Sequence, residues 1–204
     1  TDASGFTLRS GSNYSGGGPT TAPNRAGLVS DDGRKWTGGL ILSVNPDGTA
    51  LRVFAHDFRN PYEVAIDALG NVYTSDNDDD GNACCRLVPV IEGGDYGYFS
   101  EDGARNWQAD RLPGQDVWRA HWHQDDPGVF PAGYRDGAGG PTGVCVYEGG
   151  QLPSRYVGAV LDCDAGAGVV YAHFPTPEGM SVSLTREDLL RAKADVGPRK
   201  KGWF

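Results

Sequence analysis

The segment SDNDDDG carries aspartates at alternate positions, followed directly by a glycine: Asp76, Asp78 and Asp80. Alternate carboxylates can converge on one hard cation, and the glycine permits the sharp turn found in the first half of a calcium-binding loop. The glutamate that would complete such a loop is absent, because Leu87 occupies its position. We predict a Ca²⁺ site at these aspartates, with a further ligand such as a carbonyl near Asn82. The alternative is a solvated polar loop.

A second group of candidate residues lies in the segment HWHQDD. His121 and His123 flank Trp122, and residues two apart on a strand point to the same face. Asp125 and Asp126 follow closely, so one interpretation is a catalytic base oriented by a carboxylate. A transition-metal pair and ordinary polar residues of an outer strand or loop are the alternatives.

Aromatic residues are spaced through the same region, and they could stack on a ring of a bound ligand. Packing within the protein core is the other interpretation of such residues. His56 and His173 fall within strand patterns, and we expect both to be structural. The aromatic candidates are Tyr96, Tyr98, Trp107, Trp118 and Trp122.

The composition excludes several classes of protein. A net charge of -9 over 204 residues argues against a nucleic-acid or anionic-membrane partner, since both require a basic surface. The sequence contains no apolar run of 18 residues, so it predicts no transmembrane segment. The chain begins at Thr1 rather than at an initiator methionine, which we interpret as processing or excision.

The elements that must position these residues are short strands separated by turns rich in glycine and proline. We interpret residues 1–38 as an irregular connection, with a disordered tail as the alternative. Residues 39–185 are predicted to form consecutive hairpins. Residues 186–204 are predicted to form a short helix and the lead into a further unit, because Thr185 can cap a helix over TREDLLRAKA.

Two stretches follow one plan of strand, tight turn, strand, acidic loop and strand. The first runs over residues 59–94 and the second over 141–174. The acidic loop is DNDDDGN in the first stretch and DCDAGAG in the second. Repetition of such a unit favours the blades of a β-propeller over a β-sandwich. In a blade, the start of the first strand and the end of the second share one face. We therefore expect Arg59 beside the acidic loop, and Asp162 and Asp164 on the same face of the next blade.

Several motifs resemble those of the sorbosone and glucose dehydrogenase-like propellers. They are FRNPYEVAIDALGNVYTSDNDDDG, EGGDYGYFS, HWHQDDPG and GGPTGVCVYEGGQLP, and the resemblance covers about residues 38 to 175. HWHQDDPG is most similar to a branch described as membrane-bound or sorbosone dehydrogenases. The resemblance implies an all-β fold, namely about half of a six-bladed ring of four-stranded antiparallel blades. It also implies pyrroloquinoline quinone (PQQ) and Ca²⁺ as cofactors, a sugar substrate and a periplasmic or extracellular location.

The resemblance assigns roles to individual residues. Arg59 matches the family arginine that polarises a quinone carbonyl, and a fixed guanidinium stabilises the negative charge built there by hydride transfer. An arginine paired with its acidic loop is the alternative. We expect Arg59, Asn60, Asp162 and Asp164 to bind the cofactor. The blade that carries the family's catalytic histidine is not in this chain. His121 and His123 are candidate catalytic residues on their spacing and neighbouring aspartates alone.

Two functions follow from these expectations. The first is a fragment of a quinoprotein-like sugar or alcohol dehydrogenase. The second is a non-catalytic, calcium-stabilised propeller module for binding or assembly, in which a protein partner completes the ring. Half a propeller cannot close its own edges, so either function needs more chain or a partner.

The cysteines test how the first two predicted strands of the stretch 141–174 align with each other. With a turn near Gln151, Cys145 lies opposite Ala159 and about 13 Å from Cys163, whereas a disulfide needs Cα atoms within about 7 Å. We predict no bridge between Cys145 and Cys163, and a buried Cys145 thiol. The absence of a CxxC spacing argues against a cysteine zinc site.

Overall fold

The computed structural model describes residues 1–11, 28–78, 82–101, 103, 107–137, 139–179 and 181–193. The chain forms two compact units. Unit 1 comprises Thr1–Pro61 and Ile91–Ala132, and unit 2 comprises Tyr62–Val90 and Gly133–Phe204.

Unit 1 is built on one antiparallel hairpin, in which β1 (Gly39–Ser43) pairs with β2 (Arg52–Phe58). Residues 94–99 continue beside β2, because the Tyr96 and Tyr98 amides donate to the His56 and Asp57 carbonyls at 3.0 and 2.9 Å. Two short helices follow, α1 (Trp107–Asp110) and α2 (Val117–His121). The described residues before β1 form only isolated bridges, such as Ser10 with Trp36.

Unit 2 contains two four-stranded antiparallel sheets in which each strand pairs with its neighbour in sequence. This simple order is that of a propeller blade, so the predicted all-β class with four-stranded antiparallel blades is confirmed. The first sheet consists of β3 (Val64–Ile66), β4 (Val72–Asp76), β5 (Cys85–Val90) and β6 (Tyr134–Gly137). The second consists of β7 (Pro141–Val146), β8 (Val160–Asp164), β9 (Val169–Glu178) and β10 (Ser181–Arg191), with a 3-10 turn at Ser154–Tyr156.

The core of unit 2 lies between these two sheets. Successive side chains of a strand point to opposite faces of its sheet. Side chains on the inner faces of the two sheets therefore pack against each other. Val182 and Leu184 of β10 cover the edge of this cluster. The buried members are Ala65, Tyr73, Leu87, Val144 and Val160.

The helix predicted from Thr185 onward is wrong, because β10 continues as a strand to Arg191. Its pairing with β9 runs from Ser181 opposite Glu178 to Arg191 opposite Val169. Helix propensities differ by only a few tenths of a kcal/mol per residue, so cap signals do not outweigh a ladder on an open edge. Arg186 faces inward from this strand and reaches Asp136.

The cysteine predictions are half confirmed. The structure has no bridge between Cys145 and Cys163, and all four cysteines are free thiols. Cys145 pairs with Leu161 rather than with a residue near Ala159, so the register differs by two residues from the prediction. The predicted burial of Cys145 is wrong. Its neighbour Val144 takes the core-facing position, which turns the Cys145 side chain to solvent.

Within the part of the chain that the structure describes, no helix has both the length and the apolar character needed to cross a bilayer.

Candidate functional site

The first acidic loop begins at the end of β4, where Asp76 is fully buried. The Arg86 Nη2 lies 3.0 Å from Asp76 Oδ2, and neither side chain of this pair is exposed to solvent. Asp78 accepts a hydrogen bond from the Cys84 amide at 2.8 Å. Both described aspartates of the predicted calcium loop are thus engaged by internal donors, and Asp80 lies outside the described residues. The calcium site stays a prediction.

The second acidic loop repeats the arrangement at the end of β8. Asp164 Oδ1 accepts hydrogen bonds from the Gly140 and Ala167 amides at 2.8 and 2.9 Å, so this carboxylate holds the loop backbone. The loop borders a depression of about 320 Å³ that Thr142, Cys163 and Asp164 help to line. Asp78 and Asp164 therefore stabilise the two loops in the same way.

Asp162 precedes this loop on β8 and points into the protein, with Asp136 of β6 and His173 of β9 around it. Burial raises the pKa of Asp162 to about 8, and the nearby carboxylates of Asp136 and Asp164 add to the effect. Burial likewise raises the pKa of Asp136 to about 7, although Arg186 opposes the shift. Burial lowers the pKa of His173 to about 3. These groups form the strongest concentration of perturbed titratable residues in the described chain.

Arg59 lies directly after β2, in unit 1. Its guanidinium carbon lies 6.0 Å from the centre of the Tyr98 ring, at the outer limit of a cation–π contact. The side chain is half-buried, and Asn60 beside it is exposed. Arg59 belongs to unit 1 and the acidic loops to unit 2, so their proximity remains a prediction.

Asp57 shapes the backbone that leads into Arg59. It adopts a left-handed conformation with φ of 62°, which aspartate tolerates better than most residues do. Its carboxylate is buried and accepts from the Phe99 amide, with Oδ2 at 3.1 Å. Asp57 thereby ties the end of β2 to residues 97–99.

We expect Asp57→Ala to lower the free energy of unfolding by about 1–3 kcal/mol, because a buried amide loses its acceptor. Asp57→Asn should cost less, since the amide oxygen still accepts and asparagine also tolerates the left-handed conformation. Urea denaturation followed by tryptophan fluorescence measures both, because four of the five tryptophans belong to unit 1. Equal losses in the two variants would contradict this role of the carboxylate.

The two histidines do not lie on one strand as predicted. His121 ends helix α2, and His123 follows in a turn with φ of 43°. His123 Nδ1 lies 2.7 Å from the Gly97 carbonyl oxygen, and Nε2 lies 3.3 Å from Asp110 Oδ2. His121 and His123 are 0% and 4% exposed, which argues against either as a general base that must reach a substrate. Their sequence neighbour Asp125 instead pairs with Arg119.

The aromatic candidates form core rather than a stacking platform. Phe58 stacks on Tyr96 with ring centres 4.3 Å apart, and His121 packs edge-on against Trp122 at the same distance. Trp118 differs from the others in being only half-buried. The buried ones are Tyr96, Tyr98, Trp107 and Trp122.

Sequence reasoning missed the partners of the predicted site residues. Arg86 and Asp136 lie in strands whose polar and apolar residues alternate only weakly. The local sequence therefore did not identify either residue as a partner of the site. His173 was assigned a structural role, and its proximity to Asp162 depends on the pairing of β8 with β9. The spacing that did carry information is the D-x-D pattern at Asp76 and Asp162.

No family model and no curated protein sequence matches the chain. Solved structures with a similar fold include an oxidoreductase described as a glucose dehydrogenase from Thermus thermophilus. It is 15% identical with a TM-score of 0.44, over 69% of this chain and 35% of that one. The PQQ-bound aldose sugar dehydrogenase of Streptomyces coelicolor is 16% identical with a TM-score of 0.42, over 75% and 39%. A further glucose dehydrogenase is 20% identical with a TM-score of 0.44, over 72% and 39%.

The chain therefore spans well under half the length of these proteins. At such identities the likeness concerns the fold alone. The proteins found are of the glucose and aldose dehydrogenase kind that the sequence motifs resemble.

Proposed function

We propose that this chain is part of a quinoprotein-like dehydrogenase that oxidises a hydroxyl or hemiacetal of a sugar, with PQQ as the cofactor. The observation that carries the proposal is the placement of Arg59. It stands in the RNP motif directly after β2, half-exposed, with Tyr98 beside its guanidinium and Asp57 holding the preceding backbone. A guanidinium on this anchored segment would offer a positive charge to an oxygen of the cofactor.

The residues proposed to hold the cofactor differ in how well they fit it. PQQ carries carboxylates and carbonyl oxygens, which suit the guanidinium of Arg59 and the amide of Asn60. Asp162 is fully buried and Asp164 is engaged by two backbone amides, so neither side chain is exposed for contact with a cofactor. We retain Arg59 and Asn60 as the proposed contacts.

Among this chain's own residues, the proposed reaction uses Arg59. When bound, the quinone would supply the acceptor for the substrate's hydride. The Arg59 guanidinium would bind and orient a carbonyl oxygen and stabilise negative charge there. His121 and His123 are enclosed in unit 1, so we propose neither as the base that takes the proton of the substrate hydroxyl.

The second candidate is a non-catalytic propeller module, and the burial of His121 and His123 is the observation that favours it. In that case the acidic loops and the sheet edges serve assembly, and a protein partner completes the ring. A periplasmic or extracellular location and a bound Ca²⁺ belong to both proposals and rest on the resemblance of the motifs.

The test is dye reduction with aldoses by the complete propeller protein supplied with PQQ and Ca²⁺. We expect Arg59→Ala to lower kcat about 100-fold, the effect of removing one donor from a developing oxyanion. Arg59→Lys should retain part of the activity because it keeps the charge. Arg52→Ala is the matched control, since Arg52 is exposed in unit 1 and pairs with Glu92.

Full activity in Arg59→Ala would remove Arg59 from the mechanism. Failure of the complete protein to bind PQQ would favour the assembly module.

A further inference from the structure

The two D-x-D motifs each place a buried aspartate on the second strand of a sheet, but the surroundings of the two carboxylates differ. Asp76 and Asp162 are both 0% exposed. Asp76 has the Arg86 guanidinium at 3.0 Å. No corresponding arginine pairs with Asp162, and neither of its oxygens has a hydrogen-bond partner among the described residues. The hydroxyl of Ser75 faces Asp162 as a weak donor and lowers its pKa, but the two groups do not form a regular hydrogen bond.

The groups nearest to Asp162 are also incompletely bonded. In the described part of the chain, Asp136 Oδ2 and both ring nitrogens of His173 have no hydrogen-bond partner. The side chains of His173 and Asp136 are 0% and 2% exposed, so water from outside does not satisfy them. Buried polar atoms are almost always paired, and a cluster of unpaired ones indicates a missing ion or water.

The geometry of the cluster suits a small cation. One ligand atom from each of Asp136, Asp162 and His173 lies within 4.8 Å of the other two. His173 Nε2 is 3.4 Å from Asp136 Oδ1, although no hydrogen bond joins them. Two donors on a tetrahedral metal with bonds of about 2.0–2.1 Å stand about 3.4 Å apart. His173 Nε2 and Asp136 Oδ1 are thus separated by the distance expected between two ligand atoms of one metal ion.

Arg186 contacts the cluster through Asp136. Its Nη1 donates to Asp136 Oδ1 at 2.9 Å, and its guanidinium carbon lies 4.0 Å from the centre of the Tyr171 ring. Asp136 Oδ1 is also the oxygen that lies 3.4 Å from His173 Nε2, and Asp136 Oδ2 has no hydrogen-bond partner among the described residues. Carboxylates that bind a metal are commonly hydrogen-bonded in turn by such a donor. One arginine faces the two buried carboxyl groups of Asp136 and Asp162, and a bound cation would supply the second positive charge that their ionised forms require.

We propose that Asp136, Asp162 and His173 bind a first-row divalent metal ion of the Zn²⁺ or Mn²⁺ type. Two carboxylates and one imidazole are ligands that these ions accept, whereas Ca²⁺ prefers oxygen ligands alone. The site is separate from the proposed Ca²⁺ loop and does not depend on the proposed dehydrogenase activity. Because its ligands come from β6, β8 and β9, the metal ties the outer strand of the first sheet of unit 2 to the central strands of the second.

The experiment uses the protein freed of metal by a chelator and then supplied with Zn²⁺, Mn²⁺ or Ca²⁺ alone. We expect one equivalent of Zn²⁺ or Mn²⁺ after desalting, measured by elemental analysis, and a melting temperature several degrees higher with the ion than without it. Asp162→Asn and His173→Gln should each lose both effects. Asp188→Asn and His56→Gln should keep them, because these residues lie outside the cluster.

Visible absorption of Co²⁺ substituted for the natural ion provides a readout independent of stability. Tetrahedral or five-coordinate Co²⁺ bands are expected in the parent protein, and they should be absent in His173→Gln. If a variant fails to fold, binding of Co²⁺ to the parent still decides the matter. No stoichiometric binding of Zn²⁺, Mn²⁺ or Co²⁺ by the folded parent would overturn the proposal and indicate a buried water or a shared proton at the cluster.

Discussion

Replacing Arg86 with methionine is expected to lower the free energy of unfolding by about 3–5 kcal/mol, the cost of removing one partner from a buried ion pair. Arg86 and Asp76 are wholly enclosed, with Nη2 and Oδ2 3.0 Å apart. Methionine fills much of the space of the arginine stem, so the loss reports mainly the carboxylate left without its guanidinium. Urea denaturation should be followed by circular dichroism, because only Trp203 of the five tryptophans belongs to unit 2.

Two further variants separate charge from packing. Arg86→Met combined with Asp76→Leu should recover most of the loss, since apolar residues replace buried pairs at little cost. Arg191→Met removes an exposed ion pair with Asp188 in the same unit and should cost under about 1 kcal/mol. A loss in Arg86→Met no larger than that in Arg191→Met would show that burial does not strengthen this pair.

The strands were predictable because their signals are local. Alternating apolar residues between glycine and proline turns mark β3, β4, β7 and β8, and the structure places strands there. The helix predicted at Thr185 failed for the opposite reason. Its cap and charge signals are also local, but the free edge of β9 offers a long ladder that no short window of sequence reveals.

The candidate site was predictable only in part. The D-x-D spacing located the acidic loops, since a repeated motif needs no knowledge of distant contacts. The partners of these aspartates come from other strands: Arg86 for Asp76, and Asp136 with His173 for Asp162. Which aspartate receives an arginine depends on strand pairing and on side chains that meet across two sheets. Periodicity and composition carry no information about either.

Gly133→Ala is the second substitution expected to be strongly destabilising, with a loss of several kcal/mol in the free energy of unfolding. Gly133 has φ of +79°, and a Cβ there would lie 2.3 Å from the Leu87 carbonyl oxygen and 2.7 Å from Val88 Cγ1. The oxygen belongs to the backbone of β5, so the collision cannot be relieved by rotating a side chain. It would separate β6 from β5 near Tyr134, which pairs with Leu87.

Gly158→Ala is the matched control in the same unit. Gly158 has φ of +84°, close to that of Gly133, but a Cβ there would meet nothing within 4 Å. Both alanines share the cost of a left-handed backbone, about 1 kcal/mol, so the difference between the variants isolates the collision. Denaturation followed by circular dichroism measures that difference. Equal losses would mean that β6 moves away from β5 without cost, and the close approach at Gly133 would then contribute nothing to the pairing of these strands.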